Sequence, residues 1–145
     1  MKKKFTLIFL LFICLLSNAQ IKNNEIGFHC YVDGGPTETV KKFTILLLKS
    51  KYHKVVKLLD SKKSSEKFLA ALVCKEINND KIILTEKQIS EIDKIFKSQE
   101  LIELCDGCLY YEKTTMSNLF IQSKNADYYF SNQFNDWIKY CLKGK

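Results

Sequence analysis

Two thiols three positions apart, in Cys105-Asp106-Gly107-Cys108, are the residues of this chain best spaced for chemistry. Such a pair can close a small disulfide ring reversibly, and a helix N-terminus behind it would depress the attacking thiol's pKa, as thiol–disulfide exchange requires. The flanking residues oppose that reading. Leu109, Tyr110 and Tyr111 do not announce a helix, the strand–helix alternation of a thioredoxin-like fold is missing, and the single proline, Pro36, is far upstream. The alternative is a structural bond, either within the pair or from one member to Cys30 or Cys141.

The remaining candidates are weaker. A zinc site at Cys105 and Cys108 needs two more ligands from His29, Cys30, His53, Cys74 and Cys141, and these form no second spaced pair. His29 and Cys30 are adjacent, so on a strand they point to opposite faces and suit neither one metal nor a nucleophile–base couple. Gly34-Gly35 lacks the spacing of a phosphate loop, and no nucleophile elbow or paired carboxylates occur. We therefore expect no catalytic, cofactor-binding or metal-ligating set, and take Cys30, Cys105, Cys108 and Cys141 as the disulfide candidates. Tyr110-Tyr111 and Tyr128-Tyr129-Phe130 read as half-buried rings over helix ends, with a binding surface as the functional alternative.

The elements that must position these residues begin after a leader. Lys2, Lys3 and Lys4 precede the apolar run from Phe5 to Leu16, and Ser17-Asn18-Ala19 supplies a small-residue exit, the pattern of a secretory signal peptide over residues 1–19. Cys14 belongs to that run, and the bulky Ile13 before it argues against lipidation. No later apolar run approaches the ~20 residues of a membrane span. Of six cysteines, five then remain, and an odd number in an exported chain leaves at least one thiol without an intramolecular partner. Five choices of leftover and three pairings of the rest give 15 arrangements. Cys74, on a helix apolar nearly all round, is the preferred leftover.

The chain has 145 residues, and all 23 of its basic residues are lysine, against 16 acids, for a net charge of +7. Removing the leader takes three lysines and no acid, leaving 20 against 16, or +4. With no arginine for bidentate contacts to guanine or phosphate, sequence-specific nucleic-acid recognition is not expected. The lysine-rich faces, including Lys41-Lys42 and Lys49 to Lys63, read as solvated surface with a weak, salt-sensitive attraction to anionic surfaces.

Residues 20–145 carry no linker and read as one domain. Ile26, Phe28, Cys30 and Val32 alternate as an extended segment ended by Asp33-Gly34-Gly35-Pro36. Pro36 suits the first position of a helix running to about Lys49. Tyr52, Val55, Val56 and Leu59 mark a second helix, and Phe68 to Ile77, capped by Ser64 or Ser65 and stopped by Asn78-Asn79, a buried third. Thr85-Glu86-Lys87-Gln88 is a capping box for a fourth, with Ile89, Ile92 and Phe96 inward. Leu101 to Tyr111 reads equally as a short helix or an extended stretch. A last helix runs from a Ser131 cap through Phe134, Trp137, Ile138 and Cys141. The expected fold is all-α: a small bundle or irregular array of paired helices behind an extended N-terminal segment. Tyr52 to Ser61 and Ile89 to Ser98 share a loose pattern at an offset of 37, within the range of HEAT-like repeats.

The stretch from Tyr52 through Phe68-Leu69-Ala70-Ala71-Leu72-Val73-Cys74-Lys75-Glu76 to Leu104-Cys105-Asp106-Gly107-Cys108 resembles an uncharacterised family of small exported bacterial proteins. Its members share a Lys-rich helix, an FLA-type helix with one cysteine, and a Cys-x-Gly-Cys turn. The resemblance spans roughly residues 36 to 120 and implies export without implying an activity. The resulting expectation is an exported, periplasmic or extracellular helical module that binds another envelope or extracellular protein. The enzymatic alternative is a thiol–disulfide oxidoreductase using Cys105 and Cys108.

Overall fold

A computed structural model describes residues 24–108 and 110–143, so the leader expected over residues 1–19 lies outside the described residues. Among these, six α-helices surround a three-stranded sheet. Strand β1 is Glu25–Ile26, followed by helices α1 (Glu38–Leu48), α2 (Tyr52–Lys57, continued by a 3-10 turn Leu58–Asp60), α3 (Ser64–Ile77) and α4 (Glu86–Phe96). Strands β2 (Leu101–Asp106) and β3 (Tyr110–Thr115) form a hairpin, and helices α5 (Met116–Gln122) and α6 (Tyr129–Lys143) complete the described chain.

The all-α expectation is overturned by this sheet. Strand β2 is central, parallel to β1 through Glu25↔Glu103 and Ile26↔Leu104, and antiparallel to β3 from Leu101↔Thr115 to Asp106↔Tyr110. The stretch that reads either way in sequence is therefore the middle of a mixed α/β fold. The paired-helix array goes with it: the two segments at offset 37 fall on a six-residue helix with a 3-10 turn and on an eleven-residue helix.

The third helix sits where its sequence places it. Phe68 to Cys74 and Ile77 are all buried, and α3 packs against α2, α4, β1 and β2. Its start differs from expectation, because Ser64 and Ser65 are its first two residues rather than its cap. The side chain of Asn24 does the capping from 41 residues away, its Oδ1 accepting the Ser65 amide at 2.9 Å while its Nδ2 donates to Leu101 O at 3.3 Å. An orphan donor of the helix is satisfied and β1 is tied to both α3 and β2.

Other boundaries shift by small amounts. Helix α1 starts at Glu38 behind Thr37, so Pro36 stands before the cap. Thr37 faces the chain instead, its hydroxyl meeting Gly27 N and O at 3.3 Å. Ser131 lies inside α6, and its hydroxyl closes the C-terminus of α5 by donating to Ser123 O at 2.9 Å. The Thr85–Gln88 capping box forms in both directions, at 3.3 and 2.9 Å. Val32 is 92% exposed, so the alternation from Ile26 reaches inward only as far as Cys30.

Glu66, in the first turn of α3, is buried and accepts from Ser61 Oγ at 2.6 Å and Lys42 Nζ at 2.9 Å. Burial alone would raise its pKa. The Ser61 and Lys42 bonds outweigh that and hold the carboxyl below its usual value. A folded-state pKa below the unfolded one, about 4.3, contributes stability that is complete at neutral pH and lost as pH falls through the folded value. Glu66→Gln is expected to lower stability by about 1–3 kcal/mol at pH 7 and to flatten the loss below about pH 5. Urea titrations at several pH values measure both; an unchanged acid limb would contradict this role.

Candidate functional site

The structure settles which cysteines meet. Beyond β1 the parallel contact resumes one residue out of step, with Cys30 opposite Gly107, as Tyr31 N donates to Gly107 O (3.1 Å) and Gly107 N to His29 O (2.5 Å). This register sets Cys30 beside Cys105 with their Cα atoms 5.6 Å apart, and they are disulfide-bonded. Both are buried, at 0% and 1% exposure. Gly27 makes room for the bond, since its α-carbon faces both sulfurs and the Cys105 carbonyl at a distance that leaves no space for a Cβ.

Of the other disulfide candidates, Cys108 is exposed and free, in the hairpin turn where Gly107 takes a φ of +62°, its Sγ 3.5 Å from Tyr31 O. Cys141 is buried in α6 and free, as is Cys74 in α3. Burial pushes the Cys141 thiol up to about 11, and the Cys74 thiol up to about 12. Neither forms thiolate readily. Cys74 keeps the place expected of it, whereas Cys141 is a second buried free thiol. The pair Cys105 and Cys108 is divided: one sulfur is bonded and buried, the other stands in solvent. No helix starts behind them, the next being α5 at Met116, so the dipole that would activate an attacking thiol is missing.

His29 and His53 are exposed, and among the described residues no three His, Cys, Asp or Glu side chains are grouped to hold a metal ion. The tyrosines collect on one carboxylate. Tyr110 and Tyr128 donate to Glu112 Oε2 at 2.9 and 3.0 Å, and Tyr129 packs edge-on against both rings. Burial first, then the Glu112 bond, raises the Tyr128 phenol's pKa. Tyr31 is pushed up to about 12 by burial and by its 2.9 Å bond to Glu25. Tyr110, Tyr128 and Tyr129 tie β3 to the start of α6, while Tyr110 and Tyr111, expected half-buried over helix ends, are each 46% exposed on β3.

The accessible feature that sequence reasoning missed lies between α3, α4 and α5. Phe96 of α4 and Phe120 of α5 stack at 3.8 Å, nearly parallel, and two apolar lobes flank them. One, of about 240 Å³, is lined by Lys75, Leu84, Ile89 and Ile92; the other, of about 360 Å³, by Lys97, Ser117, Ile121 and Lys124; both share Asp93, Phe96 and Phe120. Ile89, expected on the inner face of its helix, is 44% exposed here, and Ile121 is 65% exposed. Two ammonium groups address the Phe120 ring, Lys124 Nζ at 4.2 Å and Lys75 Nζ at 5.0 Å from its centroid. The one trace of this surface in sequence is Leu119-Phe120-Ile121, an apolar triplet assigned to no predicted element.

Among the described residues, no helix is long and apolar enough to cross a membrane. Compared with protein-family models, curated proteins and solved structures, the chain matches none.

Proposed function

We propose that this chain is an exported binding module of the cell envelope or extracellular space, cut from a leader over residues 1–19, with no chemistry of its own. The observation that carries this reading is the buried Cys30–Cys105 bond. It takes Cys105 out of the reversible pair and fits an oxidising compartment. The two other buried thiols have raised pKa values, and one accessible surface is an apolar groove edged by lysines. Likeness to small exported proteins with a Cys-x-Gly-Cys turn agrees with this reading. A second reading, thiol–disulfide exchange, is favoured by one observation, the exposed Cys108 thiol three residues from a disulfide sulfur.

Turnover of a disulfide substrate separates the two. The binding-module reading expects the purified protein to reduce or isomerise insulin disulfides no faster than its Cys105→Ser or Cys108→Ser variants do. Turnover lost in either variant would overturn it in favour of exchange. Non-reducing peptide mapping of the same sample is expected to recover Cys30 linked to Cys105.

A further inference from the structure

We propose that the two-lobed groove between α3, α4 and α5 binds an amphipathic peptide segment of an exported partner. An apolar side chain fills each lobe, and an acidic residue sits between Lys75 and Lys124. This rests on the binding-module reading and names the partner's chemistry.

Charge complementarity selects the occupant. Lys75, Lys97 and Lys124 rim the groove, Asp93 is the one carboxylate that lines it, and among the described residues none of these lysines lies within 4.0 Å of a carboxylate oxygen. Ion pairs elsewhere occupy Lys41, Lys42, Lys63, Lys67, Lys81, Lys94 and Lys113. Two ammonium groups are instead held at one ring by its quadrupole, so two positive charges meet there with no carboxylate among the described residues within 4.0 Å of either, which favours an anionic group on the occupant. On either side the surface is apolar and open, formed by Ile89 and Ile121 with the edges of Phe96 and Phe120. A cavity of about 150 Å³ already admits benzene, so each lobe has room for a leucine or phenylalanine side chain. Two apolar anchors with a carboxylate between them is the pattern an amphipathic helix presents to a groove.

The chain's own N-terminal stretch has the wrong sign for this place, since residues 1–23 hold Lys2, Lys3, Lys4 and Lys22 and no acid. A second copy, basic overall, faces the same repulsion.

The test uses an acetylated, amidated helical peptide with leucines at i and i+7 and glutamates at i+3 and i+4 between them on the same face, titrated into the purified protein and followed by amide chemical shifts. We expect saturable shifts around Lys75, Ile89, Phe96, Phe120 and Lys124. Affinity should fall at least about tenfold when lysines replace the peptide's glutamates or serines its leucines, since like charges facing across an interface cost several kcal/mol. It should fall similarly for the K75E/K124E variant, and the lysine peptide should regain binding to that variant. Both substituted positions are exposed, so the fold is retained, as circular dichroism checks.

Absent or scattered shifts, or equal binding of the charge-swapped peptides, overturn the proposal. So does a dimer that dissociates on dilution and covers these residues. Vesicles of anionic phosphatidylglycerol that shift the same residues while the peptide does not would assign the groove to lipid, and overturn it too. If the peptide fails while disulfide turnover is absent, the groove inference falls and the binding-module reading stands; turnover dependent on Cys105 removes that reading whatever the peptide does.

Discussion

Replacing Cys30 and Cys105 together by alanine is expected to lower the free energy of unfolding by about 4 kcal/mol. The bond closes a loop of sequence separation 75, and the chain-entropy relation for a loop of that length gives a cross-link contribution of this size. Alanine is the right replacement because both positions are buried, and a serine hydroxyl there would add a desolvation penalty that belongs to the variant and not to the bond. Urea unfolding reads the effect as a lower midpoint with a steeper slope, since an uncrosslinked unfolded chain exposes more surface. Cys108→Ser, at an exposed position, serves as control and should stay within about 0.5 kcal/mol of the parent. A double variant that loses under about 1 kcal/mol would mean that the denatured chain is already compact around this contact.

How far the fold could be read in advance depended on whether each element is decided locally. The Thr85–Gln88 box, the nearly all-round apolar pattern of Phe68 to Ile77 and the stop at Asn78-Asn79 are local signals, and each reappears in place, with Asn79 at a φ of +64°. The sheet is not local. Strand β1 is two residues long and exists only because β2 offers it partners 78 residues later (Glu25↔Glu103, Ile26↔Leu104). Strand β3 reads Tyr-Tyr-Glu-Lys-Thr-Thr, and Thr114 is its one buried residue, so no apolar alternation marks it; hydrogen bonding to β2 holds it instead. Helix α5 is seven residues long, too short for periodicity to show, and is set by Thr115 Oγ1 accepting the Asn118 amide at 3.2 Å. Read by periodicity, the chain shows its long helices and hides its strands.

The site follows the same division. Residue types narrow the bonded cysteines to a few candidates, but any of 15 arrangements suits the counting, and only the parallel contact of Cys30 with Gly107, one step out of the β1–β2 register, brings Cys30 to Cys105. That register also separates Cys105 from Cys108, because the backbone from Asp106 turns through Gly107 while Cys105 stays in the strand. The groove draws Lys75, Ile89, Phe96, Phe120 and Lys124 from three helices. No spacing rule connects residues that become neighbours only after helix packing. What sequence could register was the apolar triplet Leu119-Phe120-Ile121 outside any expected element; Ile89 reads there as an inward residue, and only the structure shows it 44% exposed.

Gly27→Ala is expected to remove about 3 kcal/mol from the disulfide-bonded protein, and much less once the disulfide is gone. A methyl group there would sit 2.5 Å from both the Cys105 carbonyl oxygen and the Cys105 Sγ, and closer still to the Cys30 Sγ. Backbone movement cannot relieve this cheaply. Thr37 N donates to Gly27 O at 2.9 Å, and the Thr37 hydroxyl meets both the amide and the carbonyl of Gly27, so a shift breaks the tie between β1 and the start of α1. Overpacking a closed site of this kind costs about 1–3 kcal/mol. With Cys30 and Cys105 both alanine, two of the three colliding atoms are absent and the carbonyl alone remains, so the same substitution should cost about 1 kcal/mol. The double-mutant cycle therefore carries a coupling of about 2 kcal/mol, well above the few tenths seen for independent sites. Equal costs in the two backgrounds would show that the backbone at Gly27 yields without disturbing the bond. Thiol titration of the Gly27→Ala protein gives the complementary reading: if the clash prevents the disulfide from forming when the chain folds, two further thiols are counted on unfolding, and the stability lost approaches that of the alanine pair.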